Sequence, residues 1–418
     1  MQKYAVVILF ISIALISLLD FFGEKNILTG TISNIVWAMC MVPFLYAAFI
    51  LCTDFHFENL YIKYAFYLFL IYQFVIFIRG ALDTNDFLSI IRQGPILWAL
   101  FVPFFIFFNK SFYNIRKIFD ILFAFAVIFL IVNLVFPSFL LNRQNAETFI
   151  STFAIGSGFL FLNSKYLSNK KIYLSFFVVL ISALSYIYLA RRSAALTMSG
   201  FIIAGFIFSI INKSSKAVYN LTTVFVIGIA LLFLIPNSFS SSLLRKMDER
   251  LLEDTRTGLF DEFYKEMDSH KLFGKGMDGT YYYPMGETVQ DDGTVYGEVV
   301  YRNIIENGYL QLYLSGGILH LILFVLILLP ASILGIFKSS NAFTRICGVM
   351  ILLWLIDMFF YGLPTLSIHY ILIWICAGVC LKKSIRDQSD SEVFNKLRTS
   401  LGESRLPNLR SRPIAKIR

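Results

Sequence analysis

Glu306 stands where a long polar stretch re-enters an apolar run, and Leu310, Tyr313, Gly317 and His320 follow it at steps of four and three. Read as helix, that spacing gathers an acid, a phenol and an imidazole on one face at the mouth of a membrane span. Ionisable groups at that depth are costly to bury and are candidates for chemistry, although a glutamate one turn inside a span also sits comfortably in headgroup water. Arg191 and Arg192 form a second constellation. They lie in Tyr188-Leu189-Ala190-Arg191-Arg192-Ser193-Ala194, where two apolar runs meet with almost no loop to hold charge away from lipid. Guanidinium groups stay charged and present a planar fork of donors that fits phosphate oxygens two at a time. Arg79, Arg92, Arg143, Arg245, Arg250, Arg256 and Arg302 are expected on the same side, so that face is predicted to gather guanidinium groups. The plainer alternative is that each arginine snorkels to headgroups or pairs with an acid. Asp357 and His369, polar residues in neighbouring apolar runs, either line the same cavity or cap helices.

The elements that must position these groups are membrane spans. The chain has 418 residues, 57% hydrophobic and 15% charged, with mean hydropathy +0.71. Those values exclude a soluble globular domain of this size. Forty-five Phe and 22 Tyr suit lipid-facing helices and interfacial belts without any cofactor. Twelve apolar runs of the length a bilayer requires fall near 4–20, 32–52, 60–79, 88–108, 118–137, 148–164, 171–190, 193–212, 217–236, 305–335, 343–361 and 366–382. The first continues into Leu18-Leu19-Asp20-Phe21-Phe22 with no small-residue cleavage site, so it is expected to be a retained span. Cys40, Cys52, Cys347, Cys376 and Cys380 all lie within or beside these runs and read as packing residues.

Lys and Arg in short loops are held on the cytoplasmic side. Alternate connections carry Lys110, Arg116 and Lys117, then Lys165, Lys170 and Lys171, then Lys213 and Lys216, then Lys338 and Arg345. Both termini are therefore expected inside. Residues 382–418 hold ten Lys/Arg against four Asp/Glu, a net of +6, which suits anionic headgroups and needs no nucleic acid. The predicted organisation is nine spans over 1–236, an outward polar insert over 237–304, three spans over 305–382 and a basic tail over 383–418.

The insert holds eight Lys/Arg and thirteen Asp/Glu, a net of −5. Apolar residues at helical spacing from Ser241 to Met267 predict one or two amphipathic helices. Leu272-Phe273-Gly274-Lys275-Gly276-Met277-Asp278-Gly279 reads as a tight turn, without the flanking strand and helix of a nucleotide-phosphate loop. Gln290-Asp291-Asp292-Gly293 reads as a solvated turn rather than a cation loop.

Three segments, in order, resemble a known family. Leu189 to Ala195 is similar to an "SRxA" step between two spans, Phe263 to Gly276 to a "PlfGxG" element in a large periplasmic loop, and Glu306 onward to the pattern H-[NSQ]-x9-G-x-x-[GTY], with Asn307 and Gly317 at the required spacing. Together they resemble the O-antigen ligase and Wzy-type polymerase superfamily of bacterial inner-membrane glycosyltransferases. The resemblance covers the second half of the chain by motif and the first half by topology.

That resemblance implies an all-α polytopic membrane protein, GT-C-like, with about twelve transmembrane helices and one large periplasmic loop. It also implies an inverting glycosyltransferase that polymerises polyprenyl-diphosphate-linked repeat units into O-antigen or capsule. Glu306 replaces the ligase histidine and His320 takes the last motif position, which favours a polymerase. In this reading Arg191 and Arg192 hold the diphosphate and Glu306 is the general base. Arg79, Arg92, Arg143, Arg256, Arg302, Asn307, Tyr313 and His320 bind substrate. The implied partners are undecaprenyl-diphosphate-linked oligosaccharide as donor and acceptor, the lipid bilayer and a chain-length regulator. No cofactor and no metal are expected, because diphosphate leaves well and no Asp-x-Asp pair stands at an outer span end. Two alternatives remain: a ligase moving finished glycan onto lipid A core, and a flippase for lipid-linked oligosaccharide. A flippase should line its cavity on both sides of the midplane, whereas these charges cluster toward one face.

Overall fold

The computed structural model describes residues 2–24, 30–82, 95–136, 140, 142–189, 191–211, 218, 220–221, 260, 263–283, 288–289, 295–296, 300–305, 307–360 and 362–399. Among these, five helices are long and apolar enough to cross a membrane: Leu60–Gly80, Phe112–Val135, Asn169–Tyr188, Ser193–Ile211 and Gly308–Phe337. Shorter apolar helices cover Tyr4–Leu19, Ile35–Leu51, Leu97–Phe107 and Ile368–Leu381. The body is a mostly helical, membrane-embedded bundle.

Helix starts follow local chemistry. Ser111, Asn142, Asn307, Asn341 and Ser367 each accept a hydrogen bond from the backbone N–H three residues on. Their side-chain oxygens satisfy donors that the first turn otherwise leaves without partners. The apolar run near 88–108 departs from expectation. Its described part is a short helix, Pro95–Ala99, followed by a 3-10 helix, Val102–Phe107, with Pro103 in its first turn. A proline supplies no N–H and its ring crowds the preceding turn, so one continuous α-helix does not form here. The run near 148–164 is helical from Arg143 to Leu162 and contains a wider π turn over Ile150–Ala154. Of the run near 217–236 only Val218, Asn220 and Leu221 belong to the described residues.

Gln2–Glu24 packs on Gly30–Leu51, Asn169–Tyr188 on Arg192–Ile211, and Gly308–Phe337 on both Leu60–Leu82 and Ala342–Asp357. Trp374, Phe66, Phe69 and Phe324 meet at the centre, with the Phe69 and Trp374 rings 5.9 Å apart and nearly parallel. Aromatic packing of this kind adds to simple area burial.

The alternate basic loops converge on one end of the bundle. Lys110 and Lys382 both donate to Asp54 Oδ2, at 3.3 and 2.6 Å, and Lys165 donates to Asp390 Oδ2 at 2.6 Å. Burial alone would raise the Asp54 carboxyl, but the bonds from Lys382 and Lys110 outweigh it and hold it below the usual carboxylate range. The insert occupies the opposite end. There two short antiparallel pairs sit within the mostly helical chain: Tyr281–Tyr283 with Val300–Arg302, and Thr288–Val289 with Val295–Tyr296. Tyr and Val, which make up most of these segments, favour strands over helix. The expected amphipathic helices survive in part, as a helical turn over residues 263–266 with Phe263 and Met267 buried. The rest of that expectation, and the Gln290–Gly293 turn, lie outside the described residues.

Candidate active site

Gly317 has φ +64°, a value L side chains rarely adopt, and it breaks the Gly308–Phe337 helix near its start. A break there would strand the carbonyls and N–H groups on either side, and buried backbone polar groups need partners. The glycine-rich loop supplies them. Lys275 N–H donates to Leu314 O at 2.8 Å and Gly276 N–H to Ser315 O at 2.9 Å, while Ile318 N–H donates to Lys271 O at 2.9 Å and Leu319 N–H to Leu272 O at 3.4 Å. The Tyr72 hydroxyl caps Gly316 O at 2.7 Å. Such backbone-to-backbone contact leaves no room for Cβ: one added at Gly274 would come 2.5 Å from the Gly316 nitrogen.

Arg79 holds this loop from the neighbouring helix. Its Nη1 donates to Phe273 O at 2.7 Å and its Nη2 to Gly274 O at 2.8 Å. Lys275 reaches Glu266 at 2.5 Å and Thr280 O at 2.8 Å, and Glu266 also accepts from Tyr282 N–H at 2.6 Å. The "PlfGxG"-like segment is thus a backbone splice across a broken helix.

The break also overturns the single face expected for Tyr313, Gly317 and His320. Tyr313 turns to the insert, its ring 6.2 Å from Phe263 and 6.4 Å from Tyr264. His320 is fully buried beyond the break, stacked on Phe69 at 5.6 Å, with Nδ1 3.3 Å from both Ser315 Oγ and Leu312 O. One continuous helix would align them; the left-handed residue between them does not. His320 borders a cavity of about 20 Å³ with Gln73, Gln311 and Ser315, room for about one water. Asn307 is a helix cap, and its Nδ2 donates to Phe359 O at 2.7 Å. Arg302 is exposed on a strand of the insert.

A much larger cavity, about 370 Å³, opens beside Arg191. Arg191 sits between two helices, its N–H closing the Asn169–Tyr188 helix on Tyr186 O at 2.8 Å and its carbonyl accepting Ala195 N–H at 2.9 Å. Its Nε donates to Glu147 Oε1. Both side chains are partly exposed to the cavity, which Asp357, Thr197, Ser367 and His369 also line. Thr197 Oγ1 donates to Asp357 Oδ1 at 2.5 Å, with Ser193 O as the alternative acceptor at 3.1 Å. His369 Nε2 has no hydrogen-bond partner among the described residues. Of the two sequence readings of Asp357 and His369, the structure favours cavity lining.

Arg79, Arg302, Asn307, Tyr313 and His320 do not line this cavity. Arg79 and Arg302 therefore do not join Arg191 at this cavity, and Arg79 is held by loop carbonyls instead. Glu306, Arg92, Arg245, Arg250 and Arg256 lie outside the described residues. Arg143 and Arg192 are described only as first residues of their helices. Sequence reading missed Glu147 and Thr197. Glu147, Thr148 and Ser151, and Ser193 with Thr197, fall at helical spacing on the inner edges of apolar runs, a pattern that could have exposed both.

The chamber joins a guanidinium, two carboxylates, an imidazole and several hydroxyls, enough to hold an anion and a sugar and to move a proton. No family model, no curated protein and no solved structure matches this chain.

Proposed function

We propose that this protein is an inverting membrane glycosyltransferase that joins undecaprenyl-diphosphate-linked oligosaccharide repeat units into O-antigen or capsular polysaccharide. The observation that carries the reading is Arg191 in a cavity of about 370 Å³ that also holds Glu147 and Asp357 at the insert end of the bundle. That volume falls in the range of small-molecule sites.

The full body has about twelve spans, GT-C-like, in the bacterial inner membrane, with the insert facing the periplasm and both termini in the cytoplasm. Arg191, with Arg192 beside it, binds the donor diphosphate. Glu147 engages Nε, so the Nη edge of Arg191 meets the phosphate oxygens. The acceptor hydroxyl attacks the anomeric carbon, the bond from that carbon to the diphosphate breaks, and the electron pair leaves with the diphosphate. Positive charge fixed in advance at the leaving group lowers that barrier. A carboxylate must take the hydroxyl proton, and Glu306 is the one the motif spacing puts forward. Arg79 serves indirectly, by fastening the glycine loop.

Deleting the gene and running surface polysaccharide on a gel tests this. Lipid A core carrying one repeat unit, or loss of capsule, is expected. Core without any repeat beside long lipid-linked polymer would mark the ligase, lipid-linked units confined to the inner leaflet would mark the flippase, and an unchanged ladder would end all three.

A further inference from the structure

Asp357 is the last residue of the Ala342–Asp357 helix. Carboxylates are disfavoured there, because the helix dipole presents its negative end. Among the described residues it has no cationic partner, and its one side-chain hydrogen bond comes from Thr197 to Oδ1. A carboxylate kept inside a membrane bundle at the wrong helix end, without a counter-ion, is unfavourable unless something else requires it. It opens into the same cavity as Arg191, and Thr197, which orients it, lies on the helix that begins beside Arg191.

We infer that Asp357 is the general base that accepts the proton of the attacking sugar hydroxyl, in place of Glu306. This rests on the transferase reading above. The Thr197 hydroxyl occupies Oδ1 and directs Oδ2 to the acceptor. As the acceptor oxygen bonds to the anomeric carbon, its proton passes to Oδ2, and the carbon–oxygen bond to the diphosphate breaks with its electrons on the leaving group. Arg191 neutralises that charge in the same chamber.

The test expresses Asp357→Asn and Asp357→Glu at equal level in the deletion strain. Each purified full-length variant is then tested for thermal unfolding and for binding of undecaprenyl diphosphate. A base of this kind contributes about 100- to 10,000-fold. Asp357→Asn should therefore lose polymer at least about 100-fold, with an unfolding midpoint equal to or above wild type and unchanged undecaprenyl diphosphate binding. Asp357→Glu should recover part of the polymer. Near-normal polymer from Asp357→Asn would overturn the assignment. So would loss of polymer that comes with a lowered midpoint and lost binding, which marks a structural role. If wild-type protein restores no polymer, the transferase reading itself fails and this assignment with it.

Discussion

Thr197 and Asp357 tie two helices together across the floor of the large cavity through a 2.5 Å hydroxyl-to-carboxylate bond. Replacing Thr197 by Val removes the donor to a half-buried carboxylate, a loss of about 0.5–1.5 kcal/mol. Thr197→Val should lower the unfolding midpoint in detergent, and Thr197→Ser, which keeps the hydroxyl, should not. Equal midpoints for the two would show that the bond contributes nothing.

Gly317→Ala combines a left-handed backbone with a clash against the Leu272 backbone. The conformation alone costs about 1–2 kcal/mol, and the splice to the glycine loop cannot form around a Cβ. Strong destabilisation is expected. Gly200→Ala is the control, since its Cβ would sit at an ordinary 3.4 Å from Leu353, and alanine in a helix gains about 0.5–1 kcal/mol over glycine. Thermal unfolding of the two variants should move in opposite directions.

Arg79 uses two nitrogens on two adjacent carbonyls. Lysine cannot reproduce that fork. Arg79→Lys should behave like Arg79→Ala, with faster amide hydrogen exchange over residues 271–277. Protection equal to wild type in the lysine variant would show that one contact suffices.

At the other end, Asp390 anchors the Asp390–Thr399 helix through Lys165, Tyr166 and the Ala342 N–H. Burial would raise its carboxyl, but these bonds outweigh burial and hold it below the usual carboxylate range. A depressed carboxylate stabilises the fold above its ordinary pKa and loses that contribution as pH falls through the lower, folded value. The tail helix should stay docked through neutral and mildly acidic pH and release only below about pH 4. Asp390→Asn should release it at pH 7, seen as faster tryptic cleavage after Lys396 and Arg398. An unchanged cleavage rate would remove the latch.

The helical, membrane-embedded class was legible because apolar length obeys a simple rule, and Lys110 and Lys382, both expected on one side from their charge, do meet on Asp54. The site was legible only in pieces. Arg191 stood out because charge in lipid is conspicuous, whereas Glu147 and Thr197 are ordinary residues whose meaning depends on which helices pack together. Helical spacing misled at Tyr313 and His320, because a periodic pattern carries no sign that Gly317 leaves the helix. Arg79 looked like an anion ligand, yet its fork meets carbonyls, which suit a guanidinium as well as phosphate does.

The most direct measurement is the affinity of purified protein for undecaprenyl diphosphate in Arg191→Ala and Glu147→Gln. Losing a charge-assisted contact is worth about 1.5–3 kcal/mol, roughly 10- to 150-fold in Kd. If Arg191 grips the diphosphate, Arg191→Ala should weaken binding by that factor, while Glu147→Gln, which removes the competing carboxylate, should bind at least as tightly as wild type. Equal weakening in both variants, or no change in either, would mean that the pair only braces the fold, and the account would be wrong.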